Sequence, residues 1–282
     1  MNRLSDIGTI KNILSRHGFT FSKSLGQNFL INPSVCPRMA ELSGAGKGVG
    51  VIEIGPGIGV LTNELCKLAD RVVAIELDKR LLPVLKETLA EYDNLKVINA
   101  DVLEIKLQKL IEDEFSGMEV VVCANLPYYI TSPVIMKLLE EKLPISAITV
   151  MVQKEAAQRI CAEVGSRQSG AVTVSINYYA KPEMLFPVSA GSFMPAPKVD
   201  SAVIRLNVLS EPSVKVNDEK KFFAVVKASF AQRRKVISNS LSSGLSLSKE
   251  KTAEILEKAG VPLNARAEKL SLQDFADIAN NL

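Results

Sequence analysis

The chain has 282 residues, 47% of them hydrophobic and 23% charged, with a formal net charge of +3. That length and apolar content suffice for one large globular domain plus a small one, and the charged fraction is ordinary for a soluble protein. The one histidine, His17, leaves almost no room for His-based metal sites or Ser-His-Asp chemistry.

Four cysteines, Cys36, Cys66, Cys123 and Cys161, lie far apart with no C-x-x-C pair. They read as reduced thiols of a cytoplasmic protein, not as a disulfide frame or a zinc site. The N-terminus alternates apolar and charged residues and lacks the apolar core of a signal peptide. No apolar run approaches the ~20 residues of a membrane span. The charge is unevenly spread. From Lys215 onward there are 12 Lys+Arg against 8 Asp+Glu, a net of +4, which leaves −1 for the rest. The excess hints at a polyanionic partner for the C-terminal segment.

Residues 4–17 read as an amphipathic helix ending near Gly18. Gly26-Gln27-Asn28 is turn chemistry, followed by the apolar pair Phe29-Leu30 and a second turn at Asn32-Pro33. The stretch is either a surface loop or a lid whose Asn28 and backbone reach a ligand. A helix is expected over 34–44.

Val49–Ile54 is a short apolar run bounded by glycines, the pattern of a buried strand. It enters Glu53-Ile-Gly55-Pro-Gly57-Ile-Gly59 and then a helix to about Ala69. Strand, glycine loop and helix open a nucleotide-binding α/β unit, because glycines admit a ligand close to the backbone and the helix start offers free N–H groups. The next strand, Arg71–Leu77, carries Glu76 at its end, 21 residues after Gly55, where an acid meets ribose hydroxyls. The glycines run G-x-G-x-G, not G-x-G-x-x-G, which demotes a dinucleotide enzyme. E-x-G-x-G-x-G with an acid closing the next strand resembles the S-adenosylmethionine (SAM) motif of the α/β methyltransferases.

A helix is expected over 78–91 and a third strand over Leu95–Ala100, ending in Asp101. That carboxylate either accepts from an adenine amino group or caps the following helix, about 105–114. The fourth strand, Glu119–Ala124, delivers Asn125. Four candidate positions thus fall at the carboxyl ends of successive strands, the edge where ligands bind in open α/β sheets.

The stretch Val122–Pro133, VCANLPYYITSP, carries the chemistry. An exocyclic amino nitrogen is a poor nucleophile because its lone pair is delocalised into the ring. Acceptors aimed at both N–H bonds favour a pyramidal nitrogen and turn the lone pair outwards. The side-chain oxygen of Asn125 and a carbonyl near Leu126–Pro127 suit that task, since proline offers no backbone donor. Tyr128 supplies a stacking face. A helix to about Lys142, a strand over Ile145–Val152 and a helix over Lys154–Ala162 follow. Ala171–Tyr178 and Ala202–Leu206 have strand composition and are expected to complete the sheet. Between them Ser192-Phe-Met-Pro-Ala-Pro-Lys-Val-Asp-Ser201 is a stiff loop. Phe193 is a second stacking face or a loop anchor in the core.

A linker at about 210–217 separates a helical tail, expected as 218–241, 248–259 and 271–281. Ser271 with Asp274 forms a capping-box-like start. Arg233, Arg234 and Lys235, near Lys227 and Phe230, read as phosphate contacts or as a solvated face.

S-L-G-Q-N-F-L, E-I-G-P-G-I-G-V-L-T, N-L-P-Y and F-x-P-x-P-x-V-D-S, in this order and followed by F-A-Q-R-R-K, resemble the ribosomal-RNA adenine dimethyltransferase family, and within it the small-subunit, kasugamycin-sensitivity branch. The resemblance spans nearly the whole chain. It implies an α/β fold: a Rossmann-like SAM-dependent methyltransferase domain over 1–210 and a small all-helical RNA-binding domain over 211–282. It implies SAM as cofactor, and small-subunit ribosomal RNA or the pre-ribosomal small subunit as partner, with neither membrane nor metal. Two adjacent adenines near the 3′ end of that RNA are each methylated twice on N6, coupled to ribosome biogenesis. It places Asn28 and Leu30 against the cofactor, Gly55 under its methionine part, Glu76 on its ribose, Asp101 on its adenine, and Asn125 between cofactor and target base, with Pro127, Tyr128 and Phe193 around that base. Phe21-Ser-Lys-Ser has fewer basic residues than many relatives carry before G-Q-N-F-L. A large-subunit methyltransferase of the macrolide-resistance type shares these motifs, but the long, basic helical tail favours the small-subunit enzyme. An RNA-binding assembly or transcription factor on the same fold is the other reading.

Overall fold

A computed structural model describes residues 4–19, 27–232 and 234–282. The chain forms two compact units, the first made of 1–157 and 183–208, the second of 158–182 and 209–282. Residues 158–182, which the sequence places with the sheet, therefore cluster with the helical tail.

In chain order the first unit contains helix α1 (Ile7–Arg16), strand β1 (Phe29–Leu30), α2 (Val35–Leu42), β2 (Val49–Ile54), α3 (Val60–Leu68), β3 (Arg71–Glu76), α4 (Leu82–Thr88), β4 (Leu95–Asn99), α5 (Leu107–Glu114), β5 (Glu119–Asn125), α6 (Thr131–Glu140) and β6 (Ala147–Gln153). Helices α7 (Lys154–Ile160) and α8 (Ala171–Tyr179) come next, then β7 (Ala180–Val188), β8 (Phe193–Met194) and β9 (Ser201–Val208). The remaining helices are α9 (Glu219–Phe230), α10 (Ile237–Gly244), α11 (Lys249–Lys258) and α12 (Leu272–Asn280).

Seven strands form one sheet in the order β4-β3-β2-β5-β6-β9-β7. The first five run parallel, and β9 is antiparallel to β6. Counted from β2, the parallel part reads 3-2-1-4-5, the doubly wound order whose direction of winding reverses between β2 and β5. β2 sits at that centre and every one of its residues is buried, which is why its sequence is apolar apart from Glu53. Helices α2 and α3 cover one face through Met39, Ala40, Leu61 and Leu65. Ile10, Ile13 and Leu14 of α1, spaced three and four apart, pack with Ile58, Leu81 and Val84. Each such burial contributes roughly 1.5–3 kcal/mol before entropic costs. Among the described residues no helix is long and apolar enough to cross a membrane.

Two expected elements differ. Ala171–Tyr178 is helical, not a strand. Its β-branched residues disfavour helix only weakly, and tertiary contacts decide. The Gly170 N–H donates to Thr173 Oγ1 at 3.0 Å, the Thr173 hydroxyl donates to the Arg159 carbonyl at 2.7 Å, and Tyr178 stacks on Phe222 at 4.7 Å. The outer strand is instead β7, which contains Pro182 and Pro187 and lies at the sheet edge, where missing donors are tolerated. The expected 218–241 helix ends at Phe230, and α10 begins at Ile237. The intervening residues are good helix formers, so local preference gives no stop. The break lets α10 fold back on α9, with Gly244 so close that an added Cβ would lie 2.6 Å from that of Ala228. The Ser271–Asp274 capping box is present, with Ser271 N–H on Asp274 Oδ2 at 2.7 Å and Asp274 N–H on Ser271 Oγ at 3.1 Å.

Candidate functional site

The register of the parallel strands builds the site. Ile54 pairs with Ile75 on one side and with Ala124 on the other. The next row along the sheet is therefore Gly55, Glu76 and Asn125. Asp101 follows two residues after Asn99, the partner of Glu76. One cleft at this edge is lined by Asn28, Leu30, Gly55, Glu76, Asp101 and Asn125, and also by Pro127, Tyr128 and Phe193.

Gly55 has φ 70°, and a Cβ built on it meets nothing within 4 Å. Both facts matter: the backbone is in a region side chains avoid, and its bare face opens on the cleft. Gly57, at φ 61°, sets the next turn of the loop, and its N–H donates to Glu76 Oε2 at 3.3 Å. Glu76 Oε1 accepts from the Asp78 N–H at 2.7 Å. Glu76 is thus locked in place by two backbone donors while each oxygen keeps a second lone pair. Burial raises its pKa above the usual carboxylate value, and the Asp78 and Gly57 N–H groups pull the other way.

Asp101 uses one carboxylate oxygen locally and leaves the other. Its Oδ1 accepts from Leu103 N–H at 2.8 Å, a turn cap, and its second oxygen has no hydrogen-bonded partner among the described residues. The side chain of Asn125 likewise makes no hydrogen bond with a described residue, although it stands half-buried at the end of β5. Pro127, at φ −56°, leads into a 3-10 turn over Tyr128–Ile130. The Tyr128 hydroxyl is 2.8 Å from Ser201 Oγ. Phe193 is only 4% exposed and packs in the core with Leu30, while one side of it reaches the cleft. β1 and β8 pair antiparallel, Phe29 with Met194 and Leu30 with Phe193. The loop that carries Asn28 is stitched in this way to the loop that carries Phe193. Phe21-Ser-Lys-Ser lies outside the described residues.

Glu53 is 1% exposed, lines the same cleft, and its Oε2 has no hydrogen-bond partner among the described residues. Burial pushes its pKa up to about 8. The Thr62 hydroxyl, close by but outside hydrogen-bond geometry, opposes the shift, and the charge of Glu76 adds to it. In the sequence Glu53 stands in the glycine motif with no role of its own. Nor does the sequence single out Asp78, whose Oδ2 accepts from Gln27 Nε2 at 2.8 Å and whose pKa is lowered first by the Arg80 side chain, or Ser201. Glu53 and Ser201 stand at the ends of recognised motifs and Asp78 at the start of the helix after Glu76, the one signal that could have found them.

Of the basic trio, Arg233 lies outside the described residues. Arg234 and Lys235 are exposed, in the turn between α9 and α10 and not on a helix. Lys227 is exposed in the last turn of α9. The structural division sharpens the charge asymmetry: the second unit has 15 Lys+Arg and 10 Asp+Glu, net +5, and the first has 19 and 21, net −2.

The chain is similar over its full length to proteins of known name. A protein from Alkaliphilus oremlandii called ribosomal RNA small subunit methyltransferase A is 46% identical over all of this chain and 99% of its own length. One of the same name from Geobacillus thermodenitrificans is 48% identical over 98% of this chain and 95% of its own. Among solved structures, a dimethyladenosine transferase from Plasmodium falciparum superposes with a TM-score of 0.72 at 26% identity, covering 89% of this chain and 95% of that one. The 23S rRNA methyltransferase ErmE superposes with a TM-score of 0.67 at 28% identity, covering 90% and 99%. The family model for ribosomal RNA adenine dimethylase matches residues 18–282, and the chain belongs to that family.

Proposed function

We propose that this protein dimethylates N6 of two adjacent adenosines near the 3′ end of small-subunit ribosomal RNA, with SAM as donor, as a step of ribosome biogenesis. The observation that carries the reading is the shared edge: Asn125 and Tyr128 stand in one cleft with Gly55 and Glu76. The full-length likeness to small-subunit methyltransferases at 46–48% identity supports it over a large-subunit target.

The residues fit the cofactor. The bare backbone face at Gly55 is a cradle that any side chain would fill. Glu76 keeps acceptor capacity for ribose hydroxyls, and the second oxygen of Asp101 suits an adenine amino group. Asn28 and Leu30, on the loop held by β8, close the cleft from the other side. When bound, SAM supplies a methyl group made electrophilic by its sulfonium.

The chain then has to position one nitrogen. Asn125 has its side-chain oxygen uncommitted, and with a carbonyl near Leu126–Pro127 it accepts from both N–H bonds of the target amino group. That turns the nitrogen lone pair toward the methyl, and alignment is the main source of rate. Tyr128 stacks on the base, which must leave its own stack to enter. An aromatic contact offsets that by ~1–3 kcal/mol, and Phe193 bounds the same cleft. The methylated nitrogen is cationic and sheds its proton readily, so the step asks for no strong base. The exposed Arg234 and Lys235 and the +5 charge of the second unit suit phosphate contacts, with Arg233 beside them in sequence. Reduced thiols, all four free, accord with a cytoplasmic setting.

Methylation mapping tests the reading. Ribosomal RNA from cells lacking this protein should carry two unmethylated adenosines near the small-subunit 3′ end, restored by the wild-type chain and not by Asn125→Ala. Loss of methylation in large-subunit RNA instead would overturn it.

A further inference from the structure

The last residue of the F-x-P-x-P-x-V-D-S stretch has no part in the function as described so far. Ser201 opens β9 opposite Gln153, the last residue of β6, and is fully buried at 0% exposure. The residue before it, Asp200, is pinned twice. The Lys154 N–H donates to the Asp200 carbonyl at 2.9 Å, and Asp200 Oδ1 accepts from the Ala190 N–H at 3.0 Å. From this fixed point the Ser201 hydroxyl lies 2.8 Å from that of Tyr128. Tyr128 itself opens a one-turn 3-10 segment after Pro127, and its ring is half-buried at the mouth of the cleft.

We propose that Ser201 is a positioning residue for methyl transfer, acting through Tyr128. The inference rests on the reading of Tyr128 as the stacking face for the target base. A tyrosine ring has two side-chain torsions, and stacking is sequence-tolerant but orientation-dependent. Only one tilt of the ring brings N6 in line with the donor methyl and its sulfur. A second contact at the far end of the ring, anchored to the sheet, removes that freedom before the base arrives, and preorganisation of this kind appears in rate more than in affinity. The arrangement also gives the loop after Phe193 a task beyond shape. It fixes one wall of the base site to the strand pair β6–β9.

A double-mutant cycle on small-subunit particles with unmethylated RNA tests the proposal. Ser201→Ala and Tyr128→Phe should each slow single-turnover methyl transfer by about 3–10-fold, and the double variant by no more than either one, because the two hydroxyls act as a unit. Dissociation constants for cofactor and RNA should stay near wild type, with each variant folded at the assay temperature. Ser201→Thr, which keeps the hydroxyl, should restore the rate. Should Ser201→Ala fail to fold, Tyr128→Phe probes the same pair from its half-exposed side. Multiplying effects in the double variant, or a wild-type rate for Ser201→Ala beside an inactive Tyr128→Ala, would overturn the role of Ser201 alone. A wild-type rate for Tyr128→Ala would instead remove Tyr128 from the base site and the proposal with it.

Discussion

Leu30 and Phe193 face one another across a two-residue antiparallel ladder, 163 positions apart in sequence. Ile31 N–H donates to the Ser192 carbonyl at 2.9 Å, and Asn32 Nδ2 to Ser192 Oγ at 3.2 Å, extending the seam. Two loops that differ in composition are in this way one wall. A change at Leu30 should therefore be felt at Phe193 across the same wall of the cleft.

Glu76 lines the cleft, held by two backbone donors, with a second lone pair left on each oxygen. Glu76→Ala should weaken SAM binding by about 1.5–3 kcal/mol through loss of a charged acceptor, a roughly 10–100-fold rise in the dissociation constant. Isothermal calorimetry checks it, and an unchanged affinity would take Glu76 out of the site.

Buried Glu53 gives a pH dependence of stability. An unfolded chain ionises it near 4.5 and the folded chain near 8. Between those values the folded state holds more protons, so stability falls as pH rises through this window. Glu53→Gln should remove that term. Near pH 3.5 the variant should match wild type, and near pH 9 it should be more stable by up to roughly 4–5 kcal/mol. Urea denaturation at the two pH values measures the difference, and equal gains at both would show that the carboxyl does not titrate as described.

Asn125 has no hydrogen-bonded partner among the described residues, so truncating it leaves no buried group stranded. Asn125→Ala should change folding stability by less than about 0.5 kcal/mol. It should slow single-turnover methyl transfer on the order of 100-fold while RNA affinity holds. Stopped-flow transfer assays beside thermal melts separate these outcomes. A wild-type rate would return the N-L-P-Y stretch to a structural role and favour the assembly-factor reading.

The exposed turn between α9 and α10 should bind phosphate. Replacing Arg234 and Lys235 by alanine, together with Arg233, should weaken RNA binding without unfolding the chain. The slope of log affinity against log salt should flatten by about 0.7–0.9 for each phosphate no longer neutralised. An unchanged slope would mark this turn as a solvated face.

Gly244 meets Ala228 where α10 returns over α9. Gly244→Val should destabilise the second unit by about 1–3 kcal/mol through overpacking. Chemical denaturation would show it, and neutrality would mean that the crossing can widen freely.

Much of the α/β order and of the cleft is legible in the chain itself. Runs such as Val49–Ile54 and Val120–Ala124 are apolar on both faces apart from Glu53, so burial and strand propensity agree. The glycine loop is equally plain, because positive φ at Gly55 and Gly57 demands glycine whatever surrounds it. With strands alternating with helices, the right-handed crossover rule then sends Gly55, Glu76, Asp101 and Asn125 to one edge. Tertiary structure alone decided the rest. Ala171–Tyr179 carries the composition of a strand, yet its hydroxyl caps and the stacking of Tyr178 on Phe222 make it helix. The break after Phe230 follows no local signal and exists because α10 packs back through Gly244. The pairing of Leu30 with Phe193 and the hydroxyl contact of Tyr128 with Ser201 join residues far apart in the chain. Such contacts depend on where the sheet brings distant loops, and short-range patterns hold no record of that.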